Sequence, residues 1–119
     1  MRVHLLKSTV CFFLLIFSGS SYGWVNWNIQ NSPIPSDNVT DVAVDVNNKV
    51  WISTYNGVAS FDGTTWNIYN VSNSPIPNNV CYSIACEGSN VWIGSVWGLV
   101  QFDGINTWTI IVPKIKTSC

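Results

Sequence analysis

The chain has 119 residues, of which 9% are charged, and its formal net charge is −1. So few charges, without a basic cluster, exclude the phosphate-neutralising surface of a nucleic-acid-binding protein. The single histidine is at position 4, so the remainder of the chain cannot build histidine-dependent nucleophile arrangements or histidine metal sites.

The N-terminal segment 1–23 has the pattern of a secretory signal peptide. Arg2 and Lys7 give a positive start, and residues 10–17 are all apolar. Ser21 and Gly23 offer small side chains at the two positions that matter for cleavage. A membrane-spanning helix needs about 20 apolar residues, so this run is too short for an anchor. We therefore predict a secreted or periplasmic protein of residues 24–119, with no membrane span after cleavage. Its three lysines and six acids give a charge of 3 − 6 = −3.

A series of motifs then occurs twice in the same order. The Asn-Ser-Pro-Ile-Pro motif at 31–35 returns at 73–77, Val-Trp-Ile at 50–52 returns at 91–93, and Phe-Asp-Gly at 61–63 returns at 102–104. A period of about 40 to 45 residues is typical of β-propeller blades. The sequence thus predicts an all-β chain of two propeller repeats, at about 27–66 and 66–112.

Each repeat predicts a four-stranded antiparallel blade, because short alternating runs are separated by Gly, Asn and Pro. The expected strands are 39–45, 50–55, 58–62 and 65–70, then 80–86, 91–96, 99–103 and 107–112. Residues 27–30 are interpreted as a spare copy of the outer strand. In this alignment Trp27, Trp66 and Trp108 open successive outer strands and serve as core residues.

The positions where the two copies disagree are the candidates for function. Trp97 aligns with Asn56, Tyr55 with Val96, and Asp41 with Tyr82. Ligand binding is therefore predicted at Trp97, Tyr55, Asn56, Asp41 and Tyr82. The neutral Asn, Ser and Thr side chains elsewhere are compatible with a carbohydrate or protein ligand.

No catalytic residue, metal site or cofactor is implied, and we expect a protein that is not an enzyme. Asp62 and Asp103 occupy the same turn in both repeats, so they are interpreted as turn-forming residues rather than general acids. Asp41 and Asp45 could face a central channel and hold a cation, although two carboxylates are a weak signal. Cys81 and Cys86 are expected on opposite faces of one strand, unpaired.

The order of these motifs resembles the two-component regulator propeller repeat. The motifs are Asn-Val at 38–39, Val-Trp-Ile at 50–52, Gly-Val at 57–58, Phe-Asp-Gly at 61–63 and Trp66, then Asn-Val at 79–80, Val-Trp-Ile at 91–93, Gly-Leu at 98–99, Phe-Asp-Gly at 102–104 and Trp108. The resemblance covers residues 27–112. It implies a periplasmic sensor propeller, often joined through a membrane segment to a histidine kinase, with polysaccharide fragments as typical ligands.

Two blades are too few to close a propeller, which needs about four to eight. The chain is therefore expected to form a homo-oligomer or to be part of a longer propeller. One alternative is a two-blade lectin whose copies form a closed ring, in which residues 27–30 complete a neighbour's last blade. The pattern is equally compatible with a truncated fragment of a larger secreted propeller protein, and with a structural or adhesive repeat that binds no small ligand.

Overall fold

The structure, a computed structural model, describes the backbone of residues 2–7, 12–18 and 21–111, and the side chains of residues 25–111. These residues form eleven strands in three antiparallel sheets. Within them no helix is both long and apolar enough to cross a membrane.

Two of the sheets are the predicted four-stranded blades, with strand orders β4-β5-β6-β7 and β8-β9-β10-β11. Blade 1 contains β4 (Val39–Val44), β5 (Val50–Thr54), β6 (Gly57–Phe61) and β7 (Trp66–Tyr69). Blade 2 contains β8 (Cys81–Glu87), β9 (Asn90–Ser95), β10 (Gly98–Phe102) and β11 (Trp108–Ile111). The eight predicted strands are confirmed, each boundary lying within one residue of the prediction.

The third sheet precedes blade 1 and contains β1 (Arg2–Lys7), β2 (Phe12–Ser18) and β3 (Ser21–Trp27), in that order. The prediction of a cleaved signal peptide is not tested by these strands and stays a prediction. The expected strand at 27–30 is wrong, because β3 ends at Trp27 and the next residues form a turn. In that turn the Asn31 carboxamide accepts the backbone N–H of Asn28 at 2.8 Å.

The copies are aligned differently from the sequence-based alignment in their inner strands. Val39 pairs with Thr54 and Cys81 pairs with Ser95, so Val39 corresponds to Cys81. Asp41 therefore corresponds to Ser83, and the expected pairing of Asp41 with Tyr82 is wrong. The reason is the turn after the inner strand: Val44 pairs with Val50 six residues later, whereas Cys86 pairs with Val91 five residues later. The spacing between the two copies falls from 42 to 41 residues at this turn. It returns to 42 in the turn before the outer strand, since Phe61 pairs with Trp66 five residues later and Phe102 with Trp108 six residues later.

Each inner strand also contains a β-bulge directly after its first residue, at Thr40 in blade 1 and at Tyr82 in blade 2. An extra residue reverses the alternation of faces that follows it. Cys81 and Cys86 consequently contact the same hydrophobic cluster, contrary to the expectation of opposite faces. Both thiols are free, and burial raises the pKa of each to about 11, with the Asp45 carboxylate adding to the effect at Cys86.

The blades pack face to face, and the face toward the next blade is called the trailing face, the opposite one the leading face. Trp51 and Val58 on the trailing face of blade 1 are fully buried against blade 2. Blade 2 contributes its leading face, whose buried members are Cys81, Ile84, Val91, Ile93, Val100 and Phe102. The leading face of blade 1 carries the corresponding set, namely Val39, Val50, Ile52, Ala59 and Phe61 with the half-buried Val42.

Aromatic rings repeat the same arrangement at both junctions. Phe102 stacks on Trp108 with centroids 4.1 Å apart, and Tyr69 of the preceding outer strand packs against both rings. Phe61 likewise stacks on Trp66 at 4.5 Å, and Trp27 packs against both. Trp27 thus corresponds to Tyr69, at the end of an outer strand, and the expectation that Trp27 opens such a strand is wrong.

Polar contacts fix the two inner strands to each other. Thr40 Oγ1 donates to the carbonyl of Cys81 at 2.7 Å, and Asp41 Oδ2 accepts the backbone N–H of Ile84 at 3.2 Å. Asp45 is 8% exposed, and its Oδ2 accepts the indole N–H of Trp51 at 3.0 Å. Because both carboxylates are engaged within the scaffold, they do not form the channel-facing cation pair considered from the sequence.

The turn at Gly57 packs too closely on its neighbours to accept a side chain. Its φ is +108°, and a Cβ there would lie 2.5 Å from the Tyr69 carbonyl oxygen. Gly88 has φ +62° with open space around the Cβ position. We predict that Gly57→Ala lowers the free energy of unfolding by about 3 kcal/mol and Gly88→Ala by about 1 kcal/mol, since only the first adds a clash to left-handed strain. Urea unfolding measures both, and equal losses would contradict the geometry.

Asp62 and Asp103, in the turns between the third and fourth strands, should stabilise the fold in a way that is lost in acid. Backbone N–H groups of Thr107, Ile105 and Asn106 donate to Asp103 and lower the pKa of its carboxyl group, as those of Thr65 and Thr64 do for Asp62. A carboxyl whose pKa is lower in the folded state stabilises the fold above its unfolded pKa of about 3.9, and this contribution is lost as the pH falls through the folded pKa.

We therefore expect Asp103→Asn to reduce the fall in unfolding temperature between pH 5 and pH 3 relative to the unchanged chain. Asp62→Asn should act in the same direction, because the same turn holds it. Glu87→Gln, at an exposed inner-strand end, is the matched control. An undiminished acid response in both aspartate variants would show that these turns do not contribute it.

Candidate functional site

An open groove lies where the start of the first inner strand meets the second blade. Its volume is about 380 Å³, and it is lined by Asn38, Val39, Thr40, Tyr55 and Tyr82. Two tyrosines that the sequence analysis selected from different repeats therefore come together in one groove. They line it from two blades, so the groove depends on the junction between the blades.

Tyr55 reaches the groove from the turn between β5 and β6. Its backbone N–H donates to the Asn38 carbonyl at 3.2 Å, which ties the turn to the start of the inner strand. Thr54 closes the same turn, since its hydroxyl donates to the Gly57 carbonyl at 2.8 Å and accepts the Asn56 N–H at 3.0 Å. Tyr55 thus lies on a turn held by hydrogen bonds, and the residue is 50% exposed.

Tyr82 reaches the groove because it is the bulged residue of β8. Its ring meets that of Tyr55 edge to face, with centroids 6.1 Å apart and planes inclined by 88°, and it is 54% exposed. Large aromatic rings are usually buried more deeply than this, so a pair of half-exposed rings around a cavity is a candidate binding surface.

The chemistry of the lining is neutral. Two phenol hydroxyls, the Asn38 carboxamide and the apolar Val39 surround the groove. The Thr40 hydroxyl lies 2.7 Å from Ser53 Oγ and donates a hydrogen bond to the Cys81 carbonyl of blade 2. No ionised side chain is among the lining residues. Such a surface offers ring faces, ring edges and neutral hydrogen-bonding groups to a ligand.

The other predicted site residues lie outside this lining. Asp41 bridges the two inner strands through the Ile84 N–H, as described above. Asn56 directs its side-chain N–H to the Pro35 carbonyl at 3.4 Å. Trp97 lies on the corresponding turn of blade 2 and is 74% exposed, and its backbone N–H donates to the Ser95 hydroxyl at 3.3 Å.

Asn38, Val39 and Thr40 line the groove but were missed by the sequence analysis. With the alignment that the structure gives, Thr40 corresponds to Tyr82, and this disagreement between the copies would have selected the position. The difference between Thr40 and Tyr82 was missed because the sequence alignment used the 41-residue spacing of the Val-Trp-Ile motifs. The inner strands instead keep the 42-residue spacing of the Asn-Ser-Pro-Ile-Pro motifs. Comparing the inner strands at the larger spacing would have revealed it.

Comparisons with known proteins agree with this architecture. Residues 33–56 match the sequence pattern of the family described as two component regulator propeller. This segment runs from the loop before blade 1 through β4 and β5 to the Tyr55 turn. No curated protein matches the chain.

Among solved structures, the chain is similar to the extracellular domain of BT4673 from B. thetaiotaomicron. One structure assigns that domain to a one component system, with a TM-score of 0.62, 18% identity, and coverage of 99% of this chain and 17% of the other. A second assigns it to a hybrid two component system, with a TM-score of 0.61, 19% identity, and coverage of 90% and 15%.

At these identities the structural likeness establishes the fold, and the chain spans only 17% and 15% of the two related chains. The family match and the fold agree with each other, since the matched segment is the inner half of a blade. The chain therefore matches the two-component regulator propeller family over residues 33–56 and has the fold of β-propeller blades, as the resemblance in its sequence predicted.

Proposed function

We propose that this chain is a ligand-binding, non-catalytic segment of an extracytoplasmic sensor propeller, and that the Tyr55–Tyr82 groove binds a neutral carbohydrate. The observation that carries the proposal is the pair of half-exposed tyrosine rings, brought from two blades to one groove. Each lies at a position where the two repeats differ, so the shared scaffold does not require it. Secretion or a periplasmic location belongs to the same proposal.

The sensor assignment is supported by the family match and by the neighbours. The matched family is that of regulator propellers, and the similar structures are extracellular domains of a signalling protein. In this proposal the segment described here recognises the ligand, and the response is produced elsewhere in the assembled protein. The groove itself has only to bind the ligand.

A neutral sugar suits the groove for two reasons. The apolar C–H face of a pyranose packs on an aromatic ring, while its hydroxyls need neutral donors and acceptors at the rim. Lys49 lies in the turn at the other end of the blade, where its Nζ is 5.7 Å from the Trp51 ring centroid. A uronic acid would therefore find no cation among the lining residues.

Binding rather than catalysis is supported by the position of the carboxylates. Asp62 and Asp103 accept backbone N–H groups in the turns between third and fourth strands, and Asp45 accepts the Trp51 indole N–H. Two carboxyl groups that flank a bound glycoside are the usual requirement for glycoside hydrolysis. No carboxylate lines the groove.

The proposal predicts that Tyr82→Ala and Tyr55→Ala each weaken binding of a neutral oligosaccharide by about tenfold, because loss of one stacked ring removes about 1.4 kcal/mol. A glycan array of neutral hexasaccharides and oligouronates identifies the probe, and calorimetry on the probe measures the loss. Trp97→Ala is the control, since Trp97 is more exposed than either tyrosine but lies outside the groove.

Binding that both tyrosine variants retain, or that only Trp97→Ala abolishes, would remove the groove from consideration. Preference for oligouronates would contradict the neutral-sugar assignment. In the oligomeric lectin alternative the same groove binds the sugar, but several copies of the chain assemble into one particle. Light scattering measures the mass of that particle and so distinguishes the two.

A further inference from the structure

Two consecutive residues of blade 1 hold the bulge that carries Tyr82. Thr40 Oγ1 donates to the carbonyl of Cys81, the residue directly before the bulged position, at 2.7 Å. Asp41 Oδ2 accepts the backbone N–H of Ile84, two residues after the bulged position, at 3.2 Å. The bulge of blade 2 is thus bonded on both sides by side chains of the other blade, and we call Thr40 and Asp41 the bulge clamp.

The bulge clamp supplies hydrogen-bond partners that the sheet of blade 2 does not. β8 is the edge strand of its sheet, and a bulge disrupts the hydrogen-bond ladder locally. Backbone groups that face outward from an edge strand need partners from elsewhere. Cys81 and Ile84 are both buried, so breaking either bond leaves a backbone group without a partner in a place that water reaches poorly.

The Thr40 hydroxyl is itself held in one orientation. It has a single proton, and a carbonyl can only accept, so this proton points toward Cys81. Ser53 Oγ, which lies 2.7 Å from Thr40 Oγ1, must then donate to Thr40. Ser53 is fully buried in β5, so the chain of two hydrogen bonds begins at a fixed point. The support of the bulge therefore extends from the second strand of blade 1 to the inner strand of blade 2.

Blade 2 does not repeat the bulge clamp or its supporting serine. In the structural alignment Thr40 corresponds to Tyr82, Asp41 to Ser83 and Ser53 to Gly94. A Cβ at Gly94 would lie 2.5 Å from Ser83 Oγ, so blade 2 fills this space in another way. All three positions differ between the repeats, as the two tyrosine positions of the groove do. The blade scaffold alone therefore does not account for the clamp.

We propose that Thr40 and Asp41 are positioning residues that hold the Tyr82 ring opposite Tyr55 and so preorganise the groove for its ligand. This inference deepens the proposed function and rests on it. Tyr82 is 54% exposed, so packing fixes its ring only in part. A ligand that must first order the groups that contact it binds more weakly. Loss of the clamp therefore lowers affinity although both rings are still present.

The first test needs no ligand. In the unchanged chain, NMR should show nuclear Overhauser contacts between the ring protons of Tyr55 and Tyr82, whose centroids are 6.1 Å apart. Thr40→Val, which replaces the hydroxyl by a methyl group, and Asp41→Ala should each weaken these contacts. Asp41→Ala should also speed hydrogen exchange of the Ile84 amide by about tenfold or more, because it removes the acceptor. Thr40→Ser keeps the hydroxyl and should preserve the ring contacts.

Ser74→Ala is the matched control for loss of a hydroxyl. Ser74 Oγ also donates to a backbone carbonyl at 2.7 Å, that of Asn70, but Ser74 lies outside the groove lining. This variant should lose a hydrogen bond of the same kind and leave the contacts between the two rings unchanged. Weakened ring contacts in Ser74→Ala would show that they respond to any loss of a hydroxyl.

The second test measures affinity for the neutral hexasaccharide that the glycan array selects. Thr40→Val should weaken binding about fivefold, the size of effect that one hydrogen bond gives, and Thr40→Ser should bind as the unchanged chain does. In a Tyr82→Ala background Thr40→Val should have no further effect, because a residue that acts through a ring loses its influence with that ring. Asp41→Ala replaces Thr40→Val in this measurement if the valine variant does not fold.

Three results separate the possible failures. Ring contacts that survive both Thr40→Val and Asp41→Ala would overturn the inference, whatever the ligand. A fivefold loss that persists in the Tyr82→Ala background would overturn the positioning role and make Thr40 a residue that contacts the sugar. If the unchanged chain binds no neutral sugar while the clamp variants lose the ring contacts, the proposed function fails and the hold of the clamp on the Tyr82 ring is supported.

Discussion

The structure depends on the contact between one blade and the aromatic pair of the next. A four-stranded sheet of this size has two apolar faces and cannot bury either by itself. At the junction of the two blades, Trp51 is buried by the stacked Phe102 and Trp108 while Tyr69 closes the rim. Trp51, Phe102 and Trp108 belong to motifs that occur in both repeats, whereas Tyr69 corresponds to Ile111 in the second. The repetition in the sequence is therefore the repetition of a junction as much as of a sheet.

The strands could be predicted because their signals are local. Alternation, Gly and Asp-Gly turns set the ends of all eight blade strands to within one residue. The alignment of the inner strands could not be predicted in the same way, because blade 1 has one more residue than blade 2 in the turn after its inner strand. A single inserted residue leaves every strand recognisable and still changes which residues correspond. The bulge then reverses the faces, which is why Cys81 and Cys86 contact one cluster.

The candidate site was found only in part for the same reason. Tyr55 lies in a turn whose length is equal in both repeats, so its mismatch with Val96 was read correctly. Tyr82 was selected against the wrong partner, Asp41, and Thr40 was missed. That the two tyrosines meet is a property of the blade junction, and no spacing within either repeat contains it. Trp97 shows the reverse case, since its mismatch is real but the structure leaves it outside the groove.

The bulge in each inner strand has a consequence for how such a propeller can change its specificity. Cys81 before the bulge and Ile84 beyond it are buried, as is Val39 in the first blade, so the neighbours of the bulged residue are constrained by packing. The bulged residue itself is Thr in one blade and Tyr in the other, without any change in the strands around it. Each of the two blades thus brings a different side chain to the groove end of its inner strand, while the bulge stays in the same place. A ring of such blades would carry a circle of bulged positions, at which the side chain differs from blade to blade and the register of the strands does not.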